Sequence, residues 1–171
     1  MKQDIKSMTL AELQDAFAAL GEPKFRAKQV FAWLHRGAVS FEAMTNLSKP
    51  LRETLDSLYF INKPTVARKQ ISRLDGTIKY LWRLRDGNCV ESVVMQYHHG
   101  NTVCISSQVG CGMGCPFCAT GKLGLTRNMS TGEIIEQVRV AAKMMRDGEV
   151  AGGEGRLSNI VFMGMGEPMG N

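Results

Sequence analysis

No stretch of these 171 residues is an uninterrupted apolar run long enough to cross a bilayer, so no membrane partner is expected. The opening MKQDIKSMTL is charged and lacks the apolar core of a secretory signal, which points to a cytoplasmic protein. An evenly paired cysteine set is missing too. There are five cysteines, and three of them bunch at positions 111, 115 and 118. Oxidised frameworks pair cysteines at spread positions, so metal or redox chemistry in a reducing compartment is the expectation. A hydrophobic content of 44% excludes general disorder and suits a packed core.

The net charge of +5 is unevenly spread. Residues 1–90 carry 15 Lys and Arg against 9 Asp and Glu, whereas residues 91–171 carry 6 against 7. The basic surplus therefore precedes the cysteine cluster. It fits a solvated surface and an electrostatic platform for a polyanion such as RNA equally well.

Helical periodicity dominates the first 60 residues. In TLAELQDAFAALGEP, Thr9 and Glu12 form a capping-box pattern, Leu10, Leu13, Phe17 and Leu20 recur at helical spacing, and Gly21 and Pro23 end the run. A second helix is predicted over FRAKQVFAWLHRG, with Val30, Trp33 and Leu34 on one face and Gly37 as its stop. A third starts at Ser48 with Pro50 in its first turn and carries Leu51, Leu55 and Leu58. Lys24, Arg26, Lys28, Arg36, Lys49 and Arg52 are expected on the outside, where several could meet phosphates.

From Pro64 the period changes to two. TIKYLWRL sets Ile78, Tyr80, Trp82 and Leu84 on one face, between the hairpin dipeptides Asp75-Gly76 and Asp86-Gly87. The next strand, NCVESVVMQY, places Glu91 on the face of Val93, Met95 and Tyr97. Pattern alone favours an exposed glutamate on an edge strand there; a carboxylate kept from water in an apolar row would be a stronger base. His98-His99-Gly100-Asn101 then turns into TVCISSQ. STGEIIEQVRVAAKMMRDG reads as a helix opened by a Ser130–Glu133 capping box and closed by Gly148. A Gly-rich connection, GEVAGGEGRLS, leads to an apolar strand, NIVFMGMG. The result is a βαβ unit with parallel strands.

Three thiols within VGCGMGCPFCATGKLG call for a soft metal. A closed zinc site needs a fourth ligand, available from Cys104, His98 or His99. A four-iron cluster can instead be held by three thiolates with one iron left open. Gly110, Gly112 and Gly114 would let the backbone wrap a bulky group. Gly164 and Gly166, taken alone, suit a simple tight turn, and Cys104 suits a small buried hydrophobe.

The spacing Cys111-x3-Cys115-x2-Cys118, with Phe117 before the last cysteine, resembles the signature of the radical S-adenosylmethionine (SAM) enzymes. FRAKQVFAWLHRG, LDGTIKYLW, VESVVMQY, TVCISSQVGC, CATGKLGLTRN and VFMGMGEPMGN together resemble the RlmN-type dual-specificity RNA methyltransferases. That resemblance implies an α/β fold: an N-terminal three-helix module and a small antiparallel β meander, followed by the first βαβ portion of a radical-SAM partial (β/α) barrel. The corresponding segments are a helical accessory, RNA-binding module over 1–62, a hairpin segment over 63–100 and the start of the barrel over 101–171.

The same resemblance implies methylation of C2 of adenosine in 23S rRNA and in tRNA, with an electron donor as a further partner. Cys111, Cys115 and Cys118 would bind a [4Fe–4S] cluster, and Gly166 with Glu167 would contact SAM. Glu91 would accept the C2 proton, and Cys104 would form a transient disulfide with a methyl-carrying cysteine. Cys89 matches no functional position and is assigned to packing. The carrier cysteine of the family lies far downstream, so the 171 residues are expected to be the N-terminal part of a longer or truncated enzyme, unable to finish the reaction alone. The competing expectations are a zinc-stabilised basic RNA-binding module and a C8-methylating relative.

Overall fold

The computed structural model describes residues 2–98, 100–148 and 156–171. His99 and positions 149–155 of the Gly-rich connection lie outside the described residues. The chain divides into two compact units between Lys63 and Pro64.

In the first unit, β1 (Gln3–Asp4) pairs in parallel with β2 (Tyr59–Phe60), joining the two ends of the segment. The Asp4 carboxylate strengthens that closure by accepting from Ser7 Oγ at 3.0 Å and from Asn62 Nδ2 at 3.3 Å. Between these strands lie α1 (Leu10–Ala19), α2 (Lys24–Arg36) and α3 (Lys49–Leu58). Both halves of the Thr9–Glu12 capping box are formed, and Gly37 ends α2 with φ 98°. Ser48 caps α3 by accepting from the Leu51 N–H. One stripe from each helix is buried, with Leu13 and Phe17, Val30 and Leu34, and Leu51 and Leu55 in a common core.

The second unit is built on a five-stranded sheet in the order β3-β4-β5-β6-β9. β3 (Thr65–Ile71), β4 (Ile78–Arg83), β5 (Cys89–Tyr97) and β6 (Gly100–Cys104) are antiparallel neighbours. After β6 the chain forms a short antiparallel pair, β7 (Gln108–Gly110) with β8 (Leu125–Asn128), and then α4 (Thr131–Arg146). It returns as β9 (Leu157–Val161), parallel to β6. One sheet thus contains both the hairpin strands and the βαβ unit, and it stays open: no closed barrel is formed among the described residues. Ile78, Tyr80, Trp82, Val90, Val94 and Val103 cover one face and pack with Ala141 and Met145 of α4.

The strand expected over NIVFMGMG is shorter than its apolar run and begins earlier, at Leu157. Beyond Val161 the chain bends back over the end of β6, where the Gly164 N–H donates to Ile105 O at 3.1 Å. A Cβ at Gly164 would lie 2.6 Å from that oxygen, so only glycine permits the approach. No helix among the described residues is long and apolar enough to cross a membrane.

Candidate active site

The carboxyl ends of the parallel strands β6 and β9 are where the chemistry-bearing residues collect, as open α/β sheets generally place their ligand sites. The cysteine loop leaves from one strand and the GMGEP turn from the other. The β7–β8 pair closes the base of the loop, and the Cys111 N–H donates to Gly124 O at 2.9 Å across it. Cys111 is buried, while Cys115 and Cys118 are partly exposed. The Cys118 N–H donates to Cys115 O at 3.1 Å, which turns the loop between the last two thiols. The Cys118 sulfur accepts from the Gly121 N–H and from Thr120, and these bonds hold its thiol below the usual cysteine range despite some desolvation. Such a setting favours the thiolate, the form that ligates metals.

Among the described residues, no three His, Cys, Asp or Glu side chains gather closely enough to hold a single metal ion. A zinc centre closed by Cys104 or His98 finds no such grouping among them, and His99, the other expected fourth ligand, lies outside the described residues. A four-iron cluster makes a different demand, because its irons are separate corners and its thiolates need not converge on one point. Three soft donors on one loop, one of them biased toward thiolate, fit that group.

Glu91 and Cys104 share one face of the sheet. Val93 stands opposite Cys104 in the β5–β6 register, and Glu91 is two positions further along the same face. The expected company of Val93, Met95 and Tyr97 is present on that face, but the surroundings of Glu91 are not apolar throughout. Lys79 of β4 reaches it with Nζ 2.8 Å from Oε1, and the Glu91 side chain is 40% exposed. Cys104 lies in an open cleft of about 890 Å³ lined also by Val93, Met95, Thr102, Val161 and Met163. Burial pushes its thiol up, partly offset by a hydrogen bond from the Met163 backbone. All five cysteines are free. Cys89 is four positions along β5 from the residue opposite Cys104, roughly 13 Å at the strand rise, and does not reach it.

The GMGEP turn is clamped to the segment that follows β6. The Glu167 N–H donates to Gln108 Oε1 at 2.9 Å, and Met165 O accepts from the N–H groups of Ser107 and Gln108. Gly166 has φ 101°, and a Cβ there would come within 2.7 Å of the Gln108 nitrogen. Its backbone is therefore packed against Gln108 on the side where a side chain would stand. The Glu167 carboxylate accepts from the Met169 N–H at 3.0 Å, leaving its second oxygen for another donor.

Several supporting residues have no signal in the local pattern. Arg127, at the exit of the cysteine loop, gives a two-pronged hydrogen bond to Glu133 at 2.8 and 2.9 Å and a third bond to Asp86 at 2.6 Å. The Glu133 capping box was legible, but its second partner was not. Ser106 and Gln137 are buried polar residues with the same status. In the first unit, Arg26 and Arg52 donate to the carbonyls of Asn46 and Glu42, so these two expected phosphate ligands are engaged within the fold. Lys24, Lys28, Arg36 and Lys49 are exposed.

Comparison with known proteins finds relatives in sequence and in fold. The family described as "Ribosomal RNA large subunit methyltransferase N-terminal domain" matches residues 3–61. A probable dual-specificity RNA methyltransferase RlmN from Bifidobacterium longum is 60% identical over 168 residues, covering 96% of this chain and 42% of the relative. The corresponding protein from Lachnoclostridium phytofermentans is 53% identical over 171 residues, covering 99% of this chain and 46% of the relative. The crystal structure of a radical SAM methyltransferase from Sphaerobacter thermophilus superposes with a TM-score of 0.85 at 46% identity, over 99% of this chain and 48% of that one. The chain thus spans less than half the length of the curated relatives it matches.

Proposed function

From the homology of this chain to the RlmN dual-specificity RNA methyltransferases, roughly across their N-terminal half, we propose that it supplies the cofactor-binding end of a radical-SAM enzyme. The reaction proposed is methylation of C2 of adenosine in 23S rRNA and tRNA. One arrangement carries the reading: the three-cysteine loop follows one of two parallel strands and the GMGEP turn follows the other, both at the carboxyl ends, beside a sheet face that presents Glu91 and Cys104.

Each residue has a role that its setting supports. Cys111, Cys115 and Cys118 would hold a [4Fe–4S] cluster by three thiolates. Gly166, held close against Gln108, would present its main chain to the cofactor, and the remaining Glu167 oxygen can accept from the SAM ammonium group. When bound, cluster and SAM supply the one-electron chemistry that an unreactive ring carbon requires. Glu91 accepts the proton that leaves C2, with Lys79 holding the carboxylate in place until the substrate arrives. Cys104, whose thiol is pushed up by burial, would give up its proton as its sulfur bonds to that of a second cysteine, while the carbon–sulfur bond to the product breaks and the freed carbon takes up a proton. That second cysteine is not among those near Cys104 here. The exposed Lys24, Lys28, Arg36 and Lys49 of the helical unit suit RNA phosphates.

RNA from cells in which the gene for this protein is deleted tests the reading. Nuclease digestion and mass spectrometry should show 2-methyladenosine gone from 23S rRNA and tRNA. Retention of 2-methyladenosine, or loss of an 8-methyl product instead, would overturn the assignment.

A further inference from the structure

The ladder between β5 and β6 ends at Val93 and Cys104. Continuing the register places Ser106 opposite Glu91, and there side chains take over from the sheet. Ser106 Oγ donates to Glu91 O at 2.5 Å and accepts from the Met165 N–H at 2.9 Å. Its peptide is engaged by Gln137 of α4, whose Oε1 accepts from the Ser106 N–H at 3.0 Å and whose Nε2 donates to Ser106 O at 2.9 Å. Ser106 is 0% and Gln137 1% exposed. One hydroxyl therefore joins the main chain of the strand bearing Glu91 to the main chain of the turn bearing Gly166 and Glu167.

We propose that Ser106, held by Gln137, is a positioning residue that sets the SAM-binding turn in register with the strand that carries the proton acceptor. The proposal rests on the function inferred above. A serine hydroxyl is suited to the task because it can donate to one backbone and accept from another at the same time. The Gln137 amide fixes where that hydroxyl sits, since both its ends are committed to a single peptide unit. Ser106→Ala would leave the Met165 N–H without its partner and loosen the turn at that point, while its bonds to Ile105, Ser107 and Gln108 remain. A 1 Å misplacement at such a site is enough to lose binding and alignment. Loss of one such bond is expected to weaken SAM binding about tenfold.

Equilibrium dialysis of labelled SAM against the anaerobically reconstituted chain tests this, with bound iron and unfolding midpoint measured on every sample. The comparison is between the native sequence, Ser106→Ala and Ile78→Ala, the last being a core truncation on β4, two strands from β6. The expected result is that Ser106→Ala keeps its iron yet binds SAM about tenfold more weakly, while Ile78→Ala loses stability with little loss of affinity. Unchanged affinity in Ser106→Ala, or equal weakening in both variants, would overturn the positioning role. Should Ser106→Ala fail to hold iron, Gln137→Met, which keeps the side-chain length without the amide, carries the same comparison with the same two outcomes. If the native sequence itself binds no SAM, the proposed function fails first, and this proposal with it.

Discussion

In the first unit the buried side chains are Ile5, Leu13, Phe17, Val30, Leu55 and their apolar neighbours, and its buried Asp4 and Asn62 serve to tie the two ends together. In the second, Ser106, Gln108, Glu133, Glu136 and Gln137 are buried, while Phe117, Phe162 and Met163 stand exposed. The first pattern is that of a unit held by one apolar core. The second departs from it at the carboxyl end of β6, where polar groups inside fix the main chain of loops and turns. Buried polar groups stabilise only when every partner is present. The cost of removing one should therefore be greatest beside the candidate site, whereas the helical unit should respond to lost volume.

Each unit contains one tryptophan, Trp33 in the first and Trp82 in the second, so urea titrations in Trp82→Phe and Trp33→Phe backgrounds report them separately. The largest effect is expected from Phe17→Ala, which empties a fully buried position and should cost about 4 kcal/mol in the Trp33-reported transition. A cost below about 1 kcal/mol would mean that the helical core is not packed as described. Glu133→Ala comes next. It removes the carboxylate half of the α4 capping box and leaves Arg127 its bonds to Asp86 and to Asn128 O, at a cost of about 2–3 kcal/mol in the Trp82-reported transition.

The smallest effect is a pH dependence. The hydrogen bond from Arg127 draws the Asp86 carboxyl down to about 2 from an ordinary 3.8. A carboxyl depressed in the folded state stabilises the fold fully above its unfolded value, and that contribution fades as pH falls. Stability of the second unit should accordingly decline between about pH 4 and about pH 2, and Asp86→Asn should flatten that part of the curve. Because Asp86 is partly exposed, the change is expected to be modest and to shrink in salt.

Legibility in the sequence follows the same division. Capping boxes at Thr9–Glu12 and Ser130–Glu133, the stripe Leu13–Phe17, and the alternation Ile78, Tyr80, Trp82 are local patterns, and each produced the element it indicated. The parallel pairing of β6 with β9 followed from the strand–helix–strand order. What could not be read were contacts between distant residues with no periodic signature. Gln137 meets Ser106 across 31 positions, Glu167 meets Gln108 across 59, and Arg127 meets Asp86 across 41. The early end of β9 belongs to the same class, since it depends on Gly164 lying against Ile105 rather than on the apolar run that contains it. The grouping of Cys111, Cys115 and Cys118 on one loop was legible by spacing, whereas the hydrogen bonds that favour a Cys118 thiolate appear only once the loop is folded.

Three thiolates on one loop are proposed to hold an iron–sulfur cluster with one iron left open to SAM. Anaerobic reconstitution with iron and sulfide, followed by iron and zinc analysis and a visible spectrum, tests it most directly when the native chain is set beside Cys111→Ala, Cys115→Ala and Cys118→Ala. The expected result is a brown protein with about four irons per chain, a spectrum that shifts on adding SAM, and loss of iron in all three variants, with Cys89→Ala and Cys104→Ala unaffected. A colourless chain holding one tight zinc, or a cluster that survives in the three variants and is lost with Cys104→Ala, would contradict it.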